Sequence, residues 1–180
     1  MKVIIVHGWH GWISGHWVEW LRDQLKDKKI EVYLPLLPNP ALEKEWLSEL
    51  KKITNYDSNT ILVGHSLGCA AILRLLEELP ETQKVGKVVF VVGWVGGDHS
   101  IPELRDFYKK SFDWKKIQKQ AEKFIVINSD NDPYYEKEKG REHISKYLKS
   151  EFILEHNQGH INVQSGFGPY PKLLKMALEK

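Results

Sequence analysis

A single cysteine, Cys69, stands in the 180 residues. One thiol rules out a disulfide within the chain, so the sequence carries no mark of an oxidising compartment. Cys69 lies inside an apolar run and reads as a small packing residue rather than a nucleophile. An excess of one charge is also missing: 26 Lys and Arg face 24 Asp and Glu, a net charge of +2. So mild a balance leaves no footprint for nucleic acid or for an anionic membrane. The lysines within 26–29 and 109–123 are interleaved with acids and read as solvated helix faces. No stretch approaches the roughly 20 apolar residues of a membrane-spanning helix, and the run before His7 is too short for a secretion signal. Cytoplasmic residence is the expectation. Repeats, low-complexity tracts and linker-like segments are absent from the pattern, which predicts one domain over residues 1–180.

What is present is a strict alternation. Short apolar runs at Val3–Val6, Val32–Leu34, Ile61–Val63, Val88–Val92, Phe124–Ile127 and Glu151–Leu154 read as six strands. Helical stripes separate them. Trp17, Trp20, Leu21 and Leu25 share one face, and Leu42, Trp46, Leu50 and Ile53 another. The run from Leu67 to Leu79 is apolar at nearly every position and stops at Pro80, the pattern of a helix buried on most sides. A weaker helix is expected across Glu136 to Leu148, and a clear one with Tyr170, Leu173, Leu174, Ala177 and Leu178 on one side. Residues 97–123 read as two short helices that could make a small lid. The fold class is therefore α/β: about six mostly parallel strands with helices on both faces. Ligands in such sheets collect at the carboxyl ends of the strands.

Glycine, serine, histidine and aspartate crowd that edge. The third strand runs without a spare residue through Gly64-His65-Ser66-Leu67-Gly68 into the apolar helix. Gly-x-Ser-x-Gly is weak as a bare pattern, but between a strand and a helix it is a nucleophile elbow, which marks Ser66 as the candidate nucleophile. The chemistry then needs a base, an orienting acid and donors for an oxyanion. After the fifth strand the acids are Asp130 and Asp132; Asp132 is favoured because Pro133 fixes a tight loop behind it. Pro133 also speaks against a calcium loop at Asp-Asn-Asp. The base is His156 or His160, with His160 favoured because it follows Gly159 in a loop. Spacing of four would let the two ligate a metal only from one helix face, and Asn157-Gln158-Gly159 is not helical in pattern, so no metal is expected. The oxyanion donors should be the backbone amides of Leu67 and, past His7-Gly8, of Trp9. His7, His16 and His65 read as structural, and His143 as solvent-facing. Trp9, Trp12 and Trp94 lie in loops at the same edge, where they either wall an apolar acyl pocket or pack their own loops.

Taken together, "VHGWHG", "GHSLG", "SDNDPYY" and "GHINVQSGFGPYP" resemble the small, near-lidless serine hydrolases related to retinoblastoma-binding protein 9, over nearly the whole chain. The resemblance implies Ser66 as nucleophile, Asp132 as acid, His160 as base, a truncated six-stranded α/β-hydrolase sheet and no cofactor. Ser129 departs from it, standing where larger hydrolases commonly carry glycine. No Leu-x-Cys-x-Glu segment is present, so retinoblastoma binding is not carried over and no protein partner is named. The expected activity is hydrolysis of small carboxylic esters, with amides or short peptides as further substrates. The competing reading is a binding or regulatory scaffold on the same fold, against which the intact Ser66, Asp132 and His160 set weighs.

Overall fold

The computed structural model describes residues 1–9, 16–96, 102–136 and 141–179. Trp12, and the part of the expected lid at residues 97–101, lie outside the described residues. Six strands form one sheet: β1 (Lys2–Val6), β2 (Glu31–Tyr33), β3 (Thr60–His65), β4 (Val85–Val91), β6 (Ala121–Ser129) and β8 (Glu151–Glu155). Their order is β2-β1-β3-β4-β6-β8, and every pair in it is parallel. Strand β3 therefore lies between β1 and β4, with Val6 beside Gly64 and His65 beside Val91. The loops after β1 and β4 thus flank the end of β3.

Each face of the sheet buries its own cluster. On one face α1 (Trp17–Asp27) and α6 (Pro171–Leu178) cover Val3, Ile5, Val63, Val89, Ile125 and Ile127. On the other, α2 (Glu43–Lys51) and α3 (Leu67–Glu78) cover Ile4, Val6, Leu62, Val88, Phe90 and Val126. Every residue of α3 from Leu67 to Leu76 is buried, as its unbroken apolar run foretells. Arg74 is buried with them. Its guanidinium donates to the Phe107, Lys110 and Ser111 carbonyls, pairs with Glu43 and Glu77, and lies 3.9 Å from the Phe112 ring centre. A buried cation so fully supplied with acceptors is a structural clamp.

What it clamps is the connection from β4 to β6. Two short helices occur there, a 3-10 segment at Pro102–Tyr108 and α4 (Trp114–Lys119), with Phe107 and Ile117 set in the α2–α3 cluster. Strand β6 starts at Ala121, so the expected lid range of 97–123 overruns into its first three residues. Most of the segment descends beside α3 to the amino end of β6.

Two features depart from the sequence pattern. A second sheet pairs β5 (Trp94–Gly96) antiparallel with β7 (Arg141–His143). The helix expected across Glu136 to Leu148 is replaced by α5 (Pro133–Glu136), then β7 and a 3-10 turn at Ile144–Lys146. The reason is tertiary: the Arg141 guanidinium sits 4.3 Å from the Trp94 ring centre, and the His143 ring stacks on Tyr135 at 4.4 Å. Those contacts hold the segment extended against β5, and they leave His143 half-buried rather than on solvent.

Candidate active site

The turn from β3 to α3 is as tight as its glycines require. A Cβ on Gly68 would fall 2.2 Å from the Val6 carbonyl oxygen, and one on Gly64 would fall 3.0 Å from the Cys69 amide nitrogen. Ser66, between them, adopts φ 53° and ψ −120°, a strained backbone held because its N–H donates to the Val91 carbonyl at 3.0 Å and its own carbonyl accepts from Cys69 N–H. The strain turns the hydroxyl out of the chain toward the sheet edge, in front of α3. Burial pushes the Cys69 thiol pKa up, in keeping with a packing role.

His160 meets the serine there. Its Nε2 lies 2.9 Å from Ser66 Oγ and its Nδ1 lies 2.9 Å from Asp132 Oδ2. A carboxylate only accepts, so Nδ1 carries the proton and Nε2 is left to accept from the serine hydroxyl. Asp132 is 3% exposed and His160 6% exposed, and the other Asp132 oxygen accepts from the Tyr134 amide at 2.9 Å. The two alternatives pair with each other instead: His156 Nδ1 donates to Asp130 at 2.6 Å, on the surface. The structure thus brings Ser66, Asp132 and His160 together and sets Asp130 and His156 apart.

Three further histidines line the back of the site, each with a tautomer fixed by its partners. His65 Nε2 donates to the His160 carbonyl at 3.1 Å. His16 caps α1, its Nδ1 accepting from the Val18 amide at 3.2 Å, with its ring 4.8 Å from that of His65. His7 Nδ1 donates to the Gly8 carbonyl at 2.7 Å and its Nε2 accepts from the Leu37 amide. Burial lowers all three pKa values, His16 to about 4 and His65 well below the ordinary imidazole range, with His160 adding to the fall at both. They stay neutral.

A Cβ on Gly8 would stand 3.2 Å from the Ser66 Cβ, so the loop after β1 crosses directly beside Ser66. Trp9, next in the chain, is partly buried against the α2–α3 cluster. Leu67 is the first residue of α3, and a first-turn amide has no acceptor within its own helix. Trp94 is only 6% exposed, its ring centre 5.5 Å from that of His160. Tyr134 flanks the imidazole at 4.5 Å and is 42% exposed. Sequence reasoning missed Tyr134; its only signal is its place two residues after Asp132. No group of three or more metal-ligating side chains occurs among the described residues.

A family model for serine hydrolases matches residues 3–179. The chain belongs to the serine hydrolase family. It is 30% identical over 173 residues to the protein YdeN of Bacillus subtilis (strain 168), covering 94% of this chain and 90% of that one. It is 25% identical over 135 residues to serine hydrolase RBBP9 of Rattus norvegicus, covering 73% and 66%. The crystal structure of the B. subtilis ydeN gene product superposes with a TM-score of 0.85 at 27% identity, over 97% of this chain and 95% of that one. The fold of this serine hydrolase is the α/β-hydrolase fold, and its strand order places Ser66 where the loops of β1 and β4 converge. No helix among the described residues is long and apolar enough to cross a membrane.

Proposed function

We propose that this serine hydrolase cleaves small carboxylic esters through a covalent acyl-enzyme, with Ser66 as nucleophile, His160 as base and Asp132 as the acid that orients it. The observation that carries the reading is the single imidazole that meets a serine hydroxyl and a buried carboxylate at 2.9 Å each. Ser66 Oγ attacks the ester carbonyl while His160 Nε2 takes its proton. The carbonyl oxygen becomes an oxyanion, received by the Leu67 and Trp9 amides, with Leu67 also at the positive end of the α3 dipole. The intermediate collapses as the C–O bond to the alcohol breaks and His160 returns the proton to the leaving oxygen. Water, deprotonated by the same nitrogen, then attacks the acyl-serine, and the carboxylic acid departs with Ser66 restored. Every proton is accounted for by His160, so the sequence of steps calls for no cofactor.

The tryptophans argue for an apolar acyl site. Trp94 touches His160 from the β5 side, and Trp9 follows the glycine that crosses Ser66. With most of the β4–β6 connection packed beside α3, long acyl chains would project into water. Amides and short peptides demand a stronger push on a poorer leaving group and come second. Turnover of p-nitrophenyl esters from acetate to octanoate tests the reading. The wild type should cleave the short esters, and Ser66→Ala and His160→Ala should not. Equal turnover by folded Ser66→Ala would remove the proposal.

A further inference from the structure

The last residue of β6 and the three that follow it hold four consecutive residues after β8. Ser129 Oγ accepts from the Gln158 amide at 3.1 Å, and Asp130 Oδ1 from the Asn157 amide at 2.8 Å. Asn131 Oδ1 accepts from the Gly159 amide at 2.7 Å, and Asp132 receives His160 Nδ1. Asn131 Oδ1 also accepts from the Ser129 hydroxyl at 2.9 Å, which ties two rungs of the ladder together. Here lies a use for the serine that replaces the commoner glycine at 129. A second support comes from behind: His160 N–H donates to Ser165 Oγ at 2.9 Å.

The loop so held is not one the chain would choose. Asn157, Gly159 and Ile161 all have positive φ, at 58°, 55° and 44°. For a β-branched residue such as Ile161 this is a marked outlier, and such backbone persists only where its surroundings over-determine it. Ile161 is anchored from the core side, its carbonyl accepting from Trp17 Nε1 at 2.8 Å. On the side facing the acid, the rung next to His160 is Asn131.

We propose that Asn131 is a positioning residue for His160: its amide oxygen fixes Gly159 so that the next side chain reaches Ser66 and Asp132 at once. The proposal rests on the triad reading above. It also separates from stability, because Asn131 is exposed and its loss opens no cavity in the core. Misplacing a catalytic group by about 1 Å can cost on the order of 100-fold.

The test compares Asn131→Ala with Asn131→Asp, whose carboxylate keeps an acceptor at the same place. Proton NMR follows the far-downfield Nδ1–H signal of a carboxylate-bonded imidazole, assigned by its loss in His160→Ala, and ester kinetics follow kcat and KM. Asn131→Ala should broaden or shift that signal and lower kcat by about 10- to 100-fold, with KM little changed. Asn131→Asp should restore both toward wild type, and melting temperatures should differ by less than about 2 °C. An unmoved signal in Asn131→Ala overturns the proposal whatever the turnover, as does a loss of kcat that Asn131→Asp shares in full. A normal signal in a wild type without ester turnover would instead count against the hydrolase reading alone.

Discussion

His16 should make this protein measurably acid-sensitive, and the size of the effect can be worked out. Its imidazole is 5% exposed, wedged against the rings of His65 and Trp17, and burial carries its pKa from 6.5 to about 4, with a smaller push from His160. In the unfolded chain the ring is in water and takes a proton near about pH 6.5. Between those limits the unfolded state binds a proton that the folded state refuses, so stability falls as the pH falls. The contribution is whole above the unfolded value and gone below about 4. At about 1.4 kcal/mol per pH unit, the gap corresponds to about 3 kcal/mol, most of it lost by about pH 4.5. That is a large share of the roughly 5–15 kcal/mol that holds a domain together. Asn at position 16 can still accept from the Val18 amide at the start of α1 but cannot titrate. Urea denaturation near pH 7 and near pH 4.5 should therefore show wild type losing about 2–3 kcal/mol more than His16→Asn. Carboxylates titrate in both proteins, so the difference reports His16 together with its smaller effect on the His65 imidazole beside it. Parallel losses would refute the reasoning, because they would mean that position 16 takes its proton equally well in the folded and unfolded states.

Other expectations follow from the same geometry. Asp132→Asn should lower kcat on the order of 10⁴-fold by leaving His160 in the wrong tautomer. Asp130→Asn, which loses only a surface contact to His156, should cost far less; steady-state ester kinetics on both variants would expose a reversed ranking. Trp94→Ala should lower kcat/KM more for butyrate than for acetate esters, since each further buried methylene is worth about 0.8 kcal/mol. Equal losses would make Trp94 a packing residue of the β5–β7 pair. Gly68→Ala should destabilise by about 2 kcal/mol or more, as its Cβ has no room beside the Val6 carbonyl; an unchanged urea midpoint would contradict that.

The sheet was legible because its strands are short aliphatic runs fenced by turns, and a parallel sheet buried on both faces needs little else. The elbow was legible for a related reason. A Cβ has no room at 68 and little at 64, so the steric demand is written as residue type. Sequence narrowed the acid and base to two residues each, while geometry separates them: Asp130 and His156 find one another on the surface, and Asp132 and His160 do so under cover. The β5–β7 pair was hidden because three-residue strands 47 residues apart carry no period, and what joins them is an arginine on a tryptophan face. Arg74 was hidden likewise, as one charge within the apolar run 67–76, with carbonyls of a distant segment among its acceptors. The rungs from Ser129 to Asn131 could not be read at all. Their partners are backbone amides, and amides have no letter in the sequence.

The central claim is that Ser66 is a nucleophile activated by His160. A fluorophosphonate probe, which reacts only where a serine is so activated, followed by peptide mapping of the adduct, tests it without any assumption about substrate. One adduct per chain is expected, on the peptide containing Gly64 to Gly68, at the Ser66 oxygen, and lost in His160→Ala. A protein that is folded yet unlabelled, or one labelled at another residue with Ser66 untouched, would contradict the account.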